Sequence, residues 1–107
     1  VGPRGSDGKG WHGVDIEVRD VWERSRYEVL VDGRPGGFLD YQREPGLLVL
    51  THAEVRPELG GRGVGGELTR RALDDIRGRG LAVRPRCPFV EQWIRRHPEY
   101  GDLVAGG

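Results

Sequence analysis

The chain has 107 residues, enough for one domain built on one hydrophobic core. Its 17 Lys and Arg balance 17 Asp and Glu, so no field of one sign is available to hold nucleic acid, and its single cysteine, Cys87, can form no intramolecular disulfide. The longest apolar run, Leu47 to Leu50, is far short of the ~20 residues a membrane helix needs, and no signal-peptide pattern follows the start, so a soluble, uncleaved, cytoplasmic protein is expected.

Residues 1–13 are polar and punctuated by glycine, too poor in apolar surface to offset ordering, and are expected to be a flexible lead-in to a domain over 14–107. Val14, Ile16 and Val18 alternate with Asp15, Glu17 and Arg19, the period of a half-solvated outer strand. Tyr27, Val29 and Val31 alternate likewise up to Asp32-Gly33, a two-residue hairpin signal, and a third strand around 37–42 should return antiparallel. Glu44-Pro45-Gly46 turns the chain into Leu47-Leu48-Val49-Leu50, apolar at successive positions as in a strand covered on both faces. This central strand continues through Thr51-His52-Ala53-Glu54-Val55 and stops near Pro57, which cannot donate to a ladder.

Val64, Leu68, Ala72 and Ile76 recur every four residues, joined by Leu73, while Glu67, Arg70, Arg71, Asp74 and Arg77 face outward. The spacing predicts a helix over 63–77, stopped by Gly78 and Gly80. Leu81-Ala82-Val83 reads as a short buried strand ending at Pro85. Cys87-Pro88 opens a second helix with Phe89, Val90, Trp93 and Ile94 as its apolar stripe, ended by His97-Pro98. Residues 99–104 read as a tail or one last short strand, and no internal repeat is present. The element order predicts a single α/β domain whose largely antiparallel sheet has a helical crossover between its fourth and fifth strands.

The most informative segment is Gly60-Gly61-Arg62-Gly63-Val64-Gly65-Gly66, between the central strand and the first helix. Glycine costs about 1 kcal/mol relative to alanine in a helix, so a cluster there needs a compensating reason. Without Cβ atoms, the free amides of a helix start can converge on a phosphate, and the helix dipole adds about half a positive charge. A P-loop is excluded because Glu67 and Leu68 stand where Lys and Ser or Thr belong. Gly61, Gly63 and Gly66 satisfy the dinucleotide spacing, but Arg84 to Arg86 occupy the region where its acid belongs. The bland reading is a loop that only turns a corner.

These residues, with the strand Leu48-Val49-Leu50 and Glu54-Val55 ahead of them, resemble the acetyl-CoA-binding motif of the GNAT superfamily of N-acetyltransferases. Cys87-Pro88-Phe89-Val90, Trp93-Ile94 and His97-Pro98-Glu99-Tyr100 are similar to a small, truncated GNAT-like subfamily, and the likeness spans about residues 14 to 104. The resemblance implies a GNAT-like fold, with a mixed, mostly antiparallel sheet, two helices and a parallel fourth and fifth strand that splay apart to admit acetyl-CoA. It implies a pyrophosphate on the amides of Gly60, Gly61, Arg62, Gly63, Val64, Gly65 and Gly66, and a pantetheine arm along Glu54 and Val55. Gly60 departs from the superfamily pattern, which has Arg or Gln there. Set beside that resemblance, the longer first helices that shape the acceptor site in full-length relatives are expected to be missing.

Attack on a thioester requires a neutral amine and therefore a proton acceptor. His52 and Glu54, two apart on one strand face, are candidates; each can equally be an ordinary polar residue of a strand end. Cys87 stands at the second helix start, where its thiol could cap the helix and a thiolate is favoured. By the resemblance it lies near the CoA sulfur as nucleophile or positioning group; otherwise it is a small buried residue. Tyr100 is a packing aromatic or an acid for the departing thiolate. His12, His52, His97 and Cys87 lack metal-ligand spacing. The expected activity is transfer of acetyl from acetyl-CoA to an amine on a small molecule or protein. The alternative is a non-catalytic CoA-binding or interaction module. Neither acceptor nor oligomeric state is legible.

Overall fold

A computed structural model describes residues 15–106. The expected flexible lead-in, Val14 and His12 lie outside the described residues. Five strands form one sheet in chain order: β1 (Ile16–Val21), β2 (Arg26–Val31), β3 (Arg34–Glu44), β4 (Leu47–Val55) and β5 (Ala82–Pro85). The first four pair antiparallel, and β5 pairs parallel to β4 after a crossover through α1 (Val64–Gly78). A second helix, α2 (Pro88–Arg96), follows, and 3-10 turns occur at Trp22–Arg24, Pro57–Leu59 and Pro98–Leu103. The expected α/β architecture, with its mostly antiparallel sheet and parallel β4/β5 pair, is the one observed.

The β2–β3 turn is built as its residues dictate: Asp32 has φ 53° and Gly33 φ 80°, the left-handed pair of a tight hairpin. Asp32 also accepts the Asp15 amide on a carboxylate oxygen at 2.9 Å, which pins the start of β1. Helix α1 stops as expected. The Gly80 amide bonds the Arg77 carbonyl at 3.0 Å and the Leu81 amide reaches Ile76 at 3.1 Å, a closure that needs the positive φ of Gly80, 73°.

One buried cluster joins a single sheet face to both helices. Tyr27, Val29, Leu39, Tyr41, Leu48, Leu50 and Val83 meet Val64, Leu68, Ala72, Leu73 and Ile76 of α1, with Val90 and Ile94 of α2. The apolar residues of the other face, Val21, Leu30, Phe38 and Val49, are not part of it. Two tyrosines anchor the far end of α1: Tyr27 donates to Asp75 at 2.7 Å and Tyr41 to Asp20 at 2.5 Å, while Arg79 pairs with Asp20 at 2.8 Å and Asp75 at 2.9 Å.

A bulge in β4 decides which residues join this core. Tyr41 pairs with Leu50 and Asp40 with His52, leaving Thr51 as an extra residue. Leu48 and Leu50 lie on the core face before the bulge, and Ala53 and Val55 pack against the core after it. His52 and Glu54 are thereby turned to the opposite face, opposite Asp40 and Phe38.

Three expectations are corrected. Glu67, expected outward, has only 12% of its side chain exposed, because Arg70 and Arg71 fold over it at 3.5 and 3.1 Å. Phe89, placed in the apolar stripe of α2, is 47% exposed, since the first turn of that helix projects past the end of β5. The last segment is neither a free tail nor a strand. It is the turn Pro98–Leu103 followed by one parallel bridge from Val104 to Val83.

Candidate functional site

The parallel pair is short. It runs from Leu47 opposite Ala82 to Leu50 opposite Pro85, and the Arg86 amide closes it on the Leu50 carbonyl at 2.9 Å. Beyond this point β4 continues for Thr51–Val55 bonded to β3, while the other chain turns away into Cys87 and α2. Among the described residues, the edge of β4 that faces away from β3 therefore has no strand partner here. An opening results, with β4 on one side, the start of α2 on the other and the start of α1 nearby.

The α1 start carries free donors. Its first bond runs from the Glu67 amide to the Gly63 carbonyl at 3.0 Å, and no side chain caps it. By helix geometry the amides of Val64, Gly65 and Gly66 then lack intrahelical acceptors. Gly61 and Gly63 are both left-handed, with φ 80° and 81°, a backbone that glycine adopts at little cost. The glycines have different reasons. A Cβ on Gly61 would meet nothing within 4 Å, whereas one on Gly65 would lie 2.9 Å from the Phe89 ring and one on Gly66 3.4 Å from Trp93 Nε1. Gly65 and Gly66 thus bring two aromatic rings of α2 onto the α1 start. The Glu67 charge, set in the first helical turn, is held by Arg70 and Arg71.

Cys87 occupies the N-cap position of α2 but makes no side-chain cap bond, and the residue is 3% exposed within the core cluster. The expected capping by its thiol is not observed; the side chain points into the core instead. Phe89 marks the exposed side of the same opening. Trp93 stacks on His97 with ring centroids 3.8 Å apart, and His97 Nδ1 lies 2.8 Å from the Trp93 carbonyl oxygen, so His97 ends the helix and supports that ring.

His52 and Glu54 are brought together: Nε2 and Oε2 are 3.0 Å apart, on side chains 55% and 64% exposed. They lie on the face of β4 opposite the core, and Cys87 lies on the core side. Next to the pair, Glu54, Phe38, Arg26, Glu28 and Arg56 contribute to a hollow of about 380 Å3. Arg26 lies over the Phe38 ring at 4.0 Å and bonds Asp40 at 3.2 Å, which fixes one wall.

A family model described as GCN5-related N-acetyl-transferase matches residues 26–103. The chain belongs to this family of N-acetyltransferases. A search of curated protein sequences finds no significant match. Among solved structures, a GCN5-like protein from Staphylococcus aureus is similar with a TM-score of 0.65 at 20% identity, over 85% of this chain and 89% of that one. The ribosomal-protein-alanine N-acetyltransferase from Brucella melitensis biovar Abortus 2308 gives 0.54 at 18% identity, over 90% and 94%. The ribosomal-protein-S18-alanine N-acetyltransferase from Escherichia coli gives 0.53 at 21% identity, over 56% of this chain but only 39% of its own length. At these identities the structures support the GNAT fold.

In this GNAT domain Tyr100 is committed elsewhere. Its hydroxyl donates to Asp74 at 2.7 Å, two helical turns beyond Gly66, and burial followed by that bond pushes its pKa up to about 12. Sequence reasoning missed Gly37, opposite Val55. A Cβ there would collide with the Glu54 carbonyl oxygen and lie 3.0 Å from Val55 Cα, so β3 closes against this part of β4 only with glycine. Two adjacent glycines inside a strand were the available signal. Among the described residues, no group of three His, Cys, Asp or Glu side chains is arranged to hold a metal ion.

Proposed function

We propose that this domain transfers acetyl from acetyl-CoA to an amine. The observation that carries the reading is the opening between β4 and β5, placed beside an uncapped helix start built from glycine. The residues fit the cofactor: Gly61 and Gly63 leave the loop without side-chain cover, and the α1 amides with the helix dipole offer a diphosphate donors and positive potential. Gly60, Gly61, Arg62, Gly63, Val64, Gly65 and Gly66 would hold the diphosphate, and the unpaired edge of β4 around Glu54 and Val55 the pantetheine arm. Acetyl-CoA, when bound, supplies an acyl group activated as a thioester. The β4 edge offers main-chain donors to the oxygen on which charge develops.

The acceptor amine approaches from the opposite face, through the hollow beside Glu54. Glu54, with His52 at 3.0 Å, takes the proton that the attacking nitrogen loses. Cys87, on the core side at the start of α2, positions the thioester sulfur, and the amine attacks directly. The decisive experiment incubates the protein with acetyl-CoA and a panel of amines and follows free thiol, alongside calorimetric titration with CoA. Thiol release above the amine-free rate supports the enzyme. Binding without turnover leaves a CoA-binding module, and absence of binding removes the proposal.

A further inference from the structure

Beside the glycine loop lies a second groove, of about 490 Å3, between the β2–β3 turn and the turn that follows β4. Its charged lining consists of Arg34, Arg56 and Arg62 with Asp32 and Glu58, a surplus of one positive charge. The acids are committed: Asp32 accepts the Asp15 amide at 2.9 Å, and Glu58 holds Arg56 at 2.9 Å. Arg56 lowers the Glu58 pKa together with the residue's own backbone amide, the larger cause, so this acid stays ionised. No ion pair or hydrogen bond within the described residues engages the Arg34 or Arg62 guanidinium. Two guanidiniums thus face a groove with their donors uncommitted, the arrangement that suits a phosphate monoester.

Arg62 belongs both to this groove and to the loop that leads into α1. A ligand whose diphosphate sits on the α1 amides and whose second phosphate lies one ribose away can reach both. CoA carries such a group in its 3′-phosphate. We infer that the groove of Arg34, Arg56 and Arg62 is an anion subsite that takes the 3′-phosphate of CoA and makes this domain discriminate CoA from 3′-dephospho-CoA. The inference rests on the reading of the glycine loop as the diphosphate site. It also gives Arg62 and Arg34 the cationic role that Gly60 cannot supply.

The test is calorimetric titration of the full chain with CoA and with 3′-dephospho-CoA, for the unaltered protein, R34A and R34K. The unaltered protein should bind CoA about tenfold more tightly, the effect of one charge-assisted hydrogen bond. R34A should abolish that difference by weakening CoA alone, and R34K should restore part of it. Arg34 is exposed at a hairpin, so its replacement leaves the core intact, which a thermal melt verifies. Equal affinity of both ligands for the unaltered protein overturns the subsite while leaving the cofactor reading in place. Equal weakening of both ligands by R34A does the same, because it marks a diffuse charge effect. Failure of both ligands to bind overturns the subsite and the cofactor reading together.

Discussion

His52 Nε2 and Glu54 Oε2 lie 3.0 Å apart on the β4 face that turns away from the helices. The two residues are neighbours on this face because the strand rises past the bulge at Thr51 in extended form. Glu54→Gln keeps the shape and the backbone and removes the proton acceptor. Turnover should fall about a hundredfold, the lower range of general-base catalysis. CoA affinity by calorimetry should be unchanged. Full activity in this variant would take the pair out of the mechanism.

Gly63 combines φ 81° with a place at the mouth of the α1 start. Gly63→Val forces a branched residue into left-handed backbone, at a cost of about 2 kcal/mol, and covers the amides behind it. A lower midpoint in urea and loss of CoA binding are both expected. Gly63→Asn, which tolerates this backbone, should recover most of the stability and less of the binding. If Gly63→Val binds CoA normally, the diphosphate lies elsewhere.

Cys87 separates a chemical role from a packing role. Cys87→Ala should cost about 1 kcal/mol of stability, since the side chain is buried and one sulfur is lost. Acetyl transfer should drop while CoA affinity stays near its original value. An acetylated protein accumulating on acetyl-CoA alone, and absent in the variant, would replace direct attack by a covalent route.

Gly37→Ala should destabilise the protein by about 2 kcal/mol, the usual scale of overpacking. The new methyl would push β3 away from the Glu54 carbonyl, so chemical denaturation and CoA titration should both register it. A neutral result in denaturation would show that the two strands can part without cost.

Alkaline pH should loosen the fold at the far end of α1. Burial first, and the Asp20 hydrogen bond second, push the Tyr41 pKa up to about 12, against about 10 in an unfolded chain. Burial and Asp75 push Tyr27 in the same direction. The native state holds these protons more tightly, so their stabilisation is complete below about pH 10 and is lost as pH rises through about 12. Tyr41→Phe should lower stability at neutral pH by about 1 kcal/mol and flatten the alkaline decline. Urea titrations across this range read both effects.

Much of this was legible in the sequence because it depends on local period. Tyr27, Val29 and Val31 mark their strand face unaided, and Asp32-Gly33 declares its own turn. The four-residue spacing of Val64, Leu68, Ala72 and Ile76 gives α1 and its inner stripe. Other features depend on partners distant in the chain. Thr51 is extra only relative to β3, so the polar residues after Leu50 could not be assigned a face. Phe89 fits the stripe of α2 by spacing, yet its turn overhangs the opening, where no strand remains to cover it. The glycines of the loop were legible as a group, but only the position of α2 distinguishes Gly65 and Gly66, which admit aromatic rings, from Gly61 and Gly63, which bend the chain.

The bulge in β4 means that one skipped pairing, rather than side-chain type alone, sorts this strand's greasy residues from its titratable ones. Were Thr51 paired with β3 in regular alternation instead of bulged, His52 and Glu54 would be driven indoors against α1, and Ala53 and Val55 would be turned out to water. A single unpaired position therefore resets the alternation, so that apolar residues before and after it share the helix-covered side while His52 and Glu54 meet water.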